Sequence, residues 1–241
     1  MQTGLKIIAA ATFWLTLVMP AAAEVLSLDG KAVTIEPIAG YCAIDRSRDV
    51  ERQAFSSLES ALGAESRLLG YWVECQTLEA VRSQGSHELV PYILILASKR
   101  NDRLFETNLK RQDVLKQMQT HFAASFGNEP FLSDASDQAR MQADKAVREF
   151  ESGVKSSGQT GARKTMGMMG RDDEAVYSAE ILASGGPQAP MASVTGTTVI
   201  KKLIMSAVAY DRYMDAKTFL LLKDRAGTAM RSLIAANRTG E

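Results

Sequence analysis

Two cysteines, Cys42 in GYCAID and Cys75 in WVECQTL, are the residues of this 241-residue chain whose chemistry depends most on what stands beside them. Their spacing is not C-x-x-C, so nothing local lowers a thiol pKa. In an oxidising compartment two cysteines with no third pair with each other. A redox-exchangeable pair, a metal site and free thiols are the alternatives. Met166, Met168 and Met169 in TMGMMG supply three thioethers, soft donors of the kind that select Cu(I). On a regular strand Met166 and Met168 share a face and Met169 points away, so only two converge. Adaptable apolar packing is the simpler use of such a cluster, and no metal or other cofactor is expected.

Catalytic patterns are scarce. His87 and His121 are the only histidines and form no H-x-x-x-H or H-E-x-x-H, which leaves a zinc hydrolase unsupported. SGVK (152–155) matches S-x-x-K, but the S-D-N and K-T-G elements that accompany it in penicillin-binding enzymes do not follow in order. GQTGARKT lacks the full phosphate-loop pattern and precedes a strand where a helix is required. The remaining enzymatic reading, an envelope hydrolase, rests on scattered carboxylates such as Asp45, Glu74 and Glu88 converging in one cleft with perturbed pKa values. Lys99, Arg100, Arg103, Lys110, Arg111 and Lys116, set against Asp102, Glu106 and Asp113, read as a solvated face, with an anionic partner or lipid head groups as the alternative.

The compartment follows from the first 23 residues. Lys6, an apolar run from Ile7 to Met19, Pro20 and Ala21-Ala22-Ala23 make the three parts of a secretory signal peptide cleaved between Ala23 and Glu24. The apolar run is too short to span a bilayer. The chain has 28 basic and 28 acidic side chains, so no long-range field points to nucleic acid or an anionic membrane. The expected mature protein, 24–241, is one domain of the periplasm or exterior. Its partner is an unidentified envelope component, and stable membrane insertion is not expected.

Periodicity supplies the elements. VTIEPI reads as a strand, and 47–62 as a helix with Ser47 as N-cap, Val50, Ala54, Leu58, Ala61 and Leu62 inward and Gly63 as its stop. RLLGYWVEC and LVPYILILAS read as strands, the second central because it is apolar on both faces. Two helices follow, with stripes Leu115, Met118, Phe122, Phe126 and Ala143, Ala146, Val147, Phe150, Val154. SGVKSSGQTG and SGGPQAPMASVTG read as loose connections bracketing a hairpin, 162–183. TTVIKKLIMSAVAY reads as one long strand before a last helix, 216–237. The sum is an α+β fold, a three-layer α/β/α sandwich on a mixed, mostly antiparallel sheet of about seven strands. The first cysteine falls just past one strand and the second at the end of the next. A single helix between them implies parallel strands with both thiols at one edge of the sheet, within disulfide reach.

This succession, with its P-x-x-G-Y-C, W-x-x-C and terminal A-A-N-R, resembles secreted bacterial members of the PsbP-like α/β/α sandwich superfamily. The resemblance implies a binding or assembly module without catalytic residues and carries over no ligand residue. The expected recognition surface is the hairpin 162–183 with its flexible flanks, since loops held on a rigid scaffold are where binding function concentrates.

Overall fold

A computed structural model describes residues 23–85, 88–127, 129–132, 136–157, 159, 161–183 and 188–238. The segment read as a signal peptide, up to residue 22, and His87 lie outside the described residues. Glu24, expected to follow the cleavage site, opens β1.

The elements run β1 (Glu24–Leu28), β2 (Lys31–Ile35), β3 (Tyr41–Ala43), α1 (Asp49–Leu62), β4 (Ser66–Glu74), α2 (Cys75–Gln84), β5 (Tyr92–Arg100) and β6 (Arg103–Leu104). They continue with α3 (Arg111–Phe126), α4 (Asp137–Ser157), β7 (Ala162–Arg171), β8 (Val176–Ala183), β9 (Met191–Ile200), β10 (Leu203–Arg212) and α5 (Lys217–Ala236). β1 and β2 form a separate hairpin; the other eight strands make one sheet in the order β3-β4-β5-β10-β9-β8-β7, with β6 beside β5. The α+β sandwich expected from the sequence is therefore present, with LVPYILILAS near the middle of the sheet as its two apolar faces required.

Cross-strand registers sort the side chains between two faces. On one, Trp72, Ile93, Ala209, Val194 and Ala179 lie in a row beneath Phe219, Ala226 and Met230 of α5, Val147 of α4, and Leu28 and Val33 of the small hairpin. On the other, α1 and α2 cover Leu68, Tyr71, Val73, Leu94 and Val208, while Val114 and Leu115 of α3 cover Val199, Ile204, Met168 and Val176. α3 and α4 thus sit on opposite faces at the β7 edge. Between them the Phe131 amide donates to the Met168 carbonyl at 2.6 Å, so the connecting segment shields an edge that would otherwise template pairing. Asn237, buried at the end of α5, accepts from the Thr34 amide at 2.9 Å and donates to the Thr34 carbonyl at 2.7 Å, which locks the small hairpin onto that helix. This is the structural use of the A-A-N-R ending.

Four sequence expectations are corrected. Every strand pairing among the described residues is antiparallel, including β3 with β4. The reason is local. The segment through Gly40, at φ 80°, turns the chain before Tyr41, so the strand that reaches β4 is the short β3 and not VTIEPI. Second, TTVIKKLIMSAVAY is two strands joined by a turn at Lys201 and Lys202, and half of the expected loose connection before it belongs to β9. Third, the helix α4 runs on through Ser152, Lys155 and Ser157, which removes half of the other expected loose connection. Fourth, α1 begins after Arg48 with no side-chain cap; the Ser47 hydroxyl donates to Asp45 at 2.7 Å instead. Its buried positions are Glu51 and Phe55, while Val50 and Ala61 face solvent.

Candidate functional site

The sequence-derived candidates are placed as follows. Cys42 and Cys75 form a disulfide with Cα atoms 4.9 Å apart, closing a separation of 33 residues. Cys42 lies opposite Val73 across an antiparallel pair, and Cys75 begins α2 two residues later, so the bond forms by a different geometry from the parallel one expected. Next to it, Glu51 is 1% exposed. It accepts from Arg82 Nε and Nη2 at 2.8 and 2.9 Å and from the Asp45 amide at 2.5 Å. Burial pushes the Glu51 carboxyl up, but these hydrogen bonds together with the Arg82 and Arg48 charges outweigh it and hold the group below the ordinary glutamate value. Sequence reading missed Glu51; its one signal is a carboxylate on the line of Phe55 and Leu58.

The three methionines diverge. Register shifts at Thr165/Gly167 and Met168/Gly170 make two bulges in β7, with Gly167 and Gly170 at φ 137° and 118°. Met168 accordingly packs with Leu115 and Val176 under α3, whereas Met169, with Met166 beside it, packs on the main core. The expected sharing of a face by Met166 and Met168 is lost to the first bulge. Among the described residues no three His, Cys, Asp or Glu side chains group as a metal site.

The carboxylates each have a separate partner. Asp45 is exposed and its carboxyl is lowered first by the Ser47 hydroxyl and amide hydrogen bonds. Glu74 accepts from Thr77 at 3.3 Å, and Glu88 pairs with Arg212. Nor is 162–183 an appended hairpin. Tyr177, Ala179 and Ile181 of β8 are fully buried core, and β8 lies hydrogen-bonded between β7 and β9. His121 is exposed on α3.

What the fold assembles instead lies where the start of β2 and the turn between β9 and β10 meet the start of α3. A cavity of about 710 Å³ is lined by Lys31, Asn108, Leu109, Lys110, Arg111, Val199, Lys201 and Lys202. Five of those eight residues are cationic and come from β2, the β9–β10 turn and the first residues of α3. Lys31 pairs with Glu106 at 2.5 Å, Lys201 Nζ donates to the Ala32 carbonyl, and Arg111 Nε donates to the Val199 carbonyl at 3.0 Å. Lys110 and Lys202 are exposed and paired with no carboxylate among the described residues. Arg100 and Arg103, on β5 and β6, stand at the same end of the sheet, and the chain after β6 is held there by the Thr107 amide donating to the Lys202 carbonyl at 2.8 Å. Only the half of this cluster that is contiguous in sequence, 99–116, was visible beforehand. Lys31, Lys201 and Lys202 join it through topology.

The cavity's apolar wall is Leu109 and Val199. Its chemistry is that of ammonium, guanidinium and amide donors against a small apolar surface, which suits an anion with some apolar substance. Comparison with protein-family models and with curated protein sequences finds no match to this chain.

Proposed function

We propose that the chain is an exported, non-catalytic binding module of the bacterial envelope, stapled by Cys42–Cys75 and of the PsbP-like α/β/α type, with the cation-lined cavity as its recognition site. The observation that carries this reading is the composition of that cavity: donors from three parts of the fold converge, and five of its eight described lining residues are cationic. Such a site is built to hold an anion. The alternatives have less support. A carboxylate hydrolase needs Asp45, Glu74 and Glu88 to converge, and each is engaged separately. Copper handling needs the three thioethers to converge, and β7 puts Met168 on the opposite face from Met166 and Met169.

Export is supported by the apolar leader ending in Ala21-Ala22-Ala23 and by a disulfide that an oxidising compartment would preserve. No described helix is long and apolar enough to cross a membrane. The test is an intact mass of the protein from the envelope fraction, alkylated before and after reduction. A chain beginning at Glu24 that takes two alkylations only after reduction is expected. An uncleaved chain with two free thiols contradicts the reading.

A further inference from the structure

Three hairpins at one end of the molecule turn on two residues each: Asp29-Gly30, Asn101-Asp102 and Lys201-Lys202. All six central residues have positive φ. Asp-Gly suits that conformation, and asparagine and aspartate tolerate it through local hydrogen bonding. Lysine has neither advantage, yet Lys201 and Lys202 stand at φ 49° and 68°. The start of α3 breaks a second local preference. Its N-cap and first helical residue are Lys110 and Arg111, with no side-chain cap, where an Asp, Ser or Asn would satisfy the amides and complement the helix dipole. Asp113 is the acidic residue of that turn. Both departures place a cation where the local backbone disfavours one, and both open onto the same cavity. Departures of this kind concentrate at sites whose function offsets them.

Resting on the reading of this cavity as the recognition site, we propose that its ligand is a phosphate-bearing anion. Lys31 is paired to Glu106, while Lys110 and Lys202 are paired with no carboxylate among the described residues and leave at least two positive charges to be met. A single carboxylate meets one, whereas a phosphate group carries roughly 1.5 to 2 negative charges near neutral pH and more acceptor oxygens. Lysine is suited to phosphate as a mobile point charge. The cavity, at about 710 Å³, has room for a second phosphate or for an organic group against Leu109 and Val199.

The probe is inorganic pyrophosphate, titrated calorimetrically at low salt into the mature protein, with succinate as the dicarboxylate comparator. A parallel arm measures co-sedimentation with phosphatidylglycerol vesicles against phosphatidylcholine vesicles. Lys110→Gln/Lys202→Gln removes two exposed ammonium groups, and Lys145→Gln/Lys155→Gln, at two exposed lysines of α4, controls for net charge. The expected result is pyrophosphate binding that the double variant weakens about tenfold and the control leaves unchanged. Phosphatidylglycerol binding lost in the double variant, with pyrophosphate silent, equally supports phosphate chemistry and assigns it to a lipid head group. Succinate binding as tight as pyrophosphate overturns the phosphate assignment and leaves the recognition site standing. Binding in either arm that the double variant does not weaken places the anion elsewhere and overturns the proposal. Silence in every arm overturns both the proposal and the recognition-site reading.

Discussion

At the β3–β4 edge each costly group has a partner. Buried Glu51 is met by two Arg82 nitrogens and an amide, the chain reversal before Tyr41 is made by a glycine, and Cys42 is bonded to Cys75. At the end of the sheet where β9 turns into β10, the pattern is reversed. Lysines occupy left-handed positions, a lysine and an arginine begin α3, and Lys110 and Lys202 have no acidic partner among the described residues. The first region follows the rule that buried polar groups are satisfied; the second leaves exposed positive charge unspent. The difference separates a part of the molecule organised for stability from a part organised to meet something outside it.

Breaking the first region should produce the largest effects. Arg82→Leu strands the Glu51 carboxylate in a buried site and should lower unfolding free energy by about 3 kcal/mol or more, read from urea titrations at neutral pH. Because the folded Glu51 pKa lies below its unfolded value, the stabilisation is present above the unfolded pKa and lost as pH falls through the folded one. The variant's deficit against wild type should therefore shrink on acidification. A deficit independent of pH would mean that Arg82 acts through packing alone.

Opening the disulfide comes next. Cys42→Ala/Cys75→Ala should cost about 3 kcal/mol, mainly by freeing the unfolded chain across the 33-residue separation, and leave anion binding intact. Loss of binding in a variant that stays folded would show that the two regions are coupled.

The smallest change in stability, with the opposite sign, belongs to the second region. Lys201→Asn/Lys202→Gly installs the residues that such a turn prefers and should raise stability by about 1 kcal/mol. The same variant should lose part of its pyrophosphate affinity. A melting temperature that falls would show that the lysines stabilise the turn and would remove the argument from unfavourable backbone.

The same contrast explains what could be read from the sequence. α3, α4 and α5 follow from apolar spacing, although Phe126 of the α3 stripe is exposed, and the central place of β5 follows from its two apolar faces, because burial dictated most of those residues. The Cys42–Cys75 bond was legible from the expected compartment and the count of cysteines even though the strands proved antiparallel. The β9–β10 turn was not. Turn reading depends on Gly, Asn, Asp or Pro, and IKKL contains none, so two strands merged into one and two of the five cavity cations were hidden inside it. The β7 bulges escaped for a related reason, since a register shift leaves no mark in a period-two pattern until pairing is known. A site assembled by topology from β2, a hairpin turn and a helix start leaves only its contiguous part in the sequence.

The most direct test is a two-dimensional ¹H–¹⁵N spectrum of the mature protein titrated with inorganic pyrophosphate. The largest amide shifts are predicted at Lys31, at Asn108 to Arg111 and at Val199 to Lys202. Shifts concentrated at Arg163 to Ala183, or around Asp45, Glu74 and Glu88, would contradict the account by placing recognition on the hairpin or on the carboxylates.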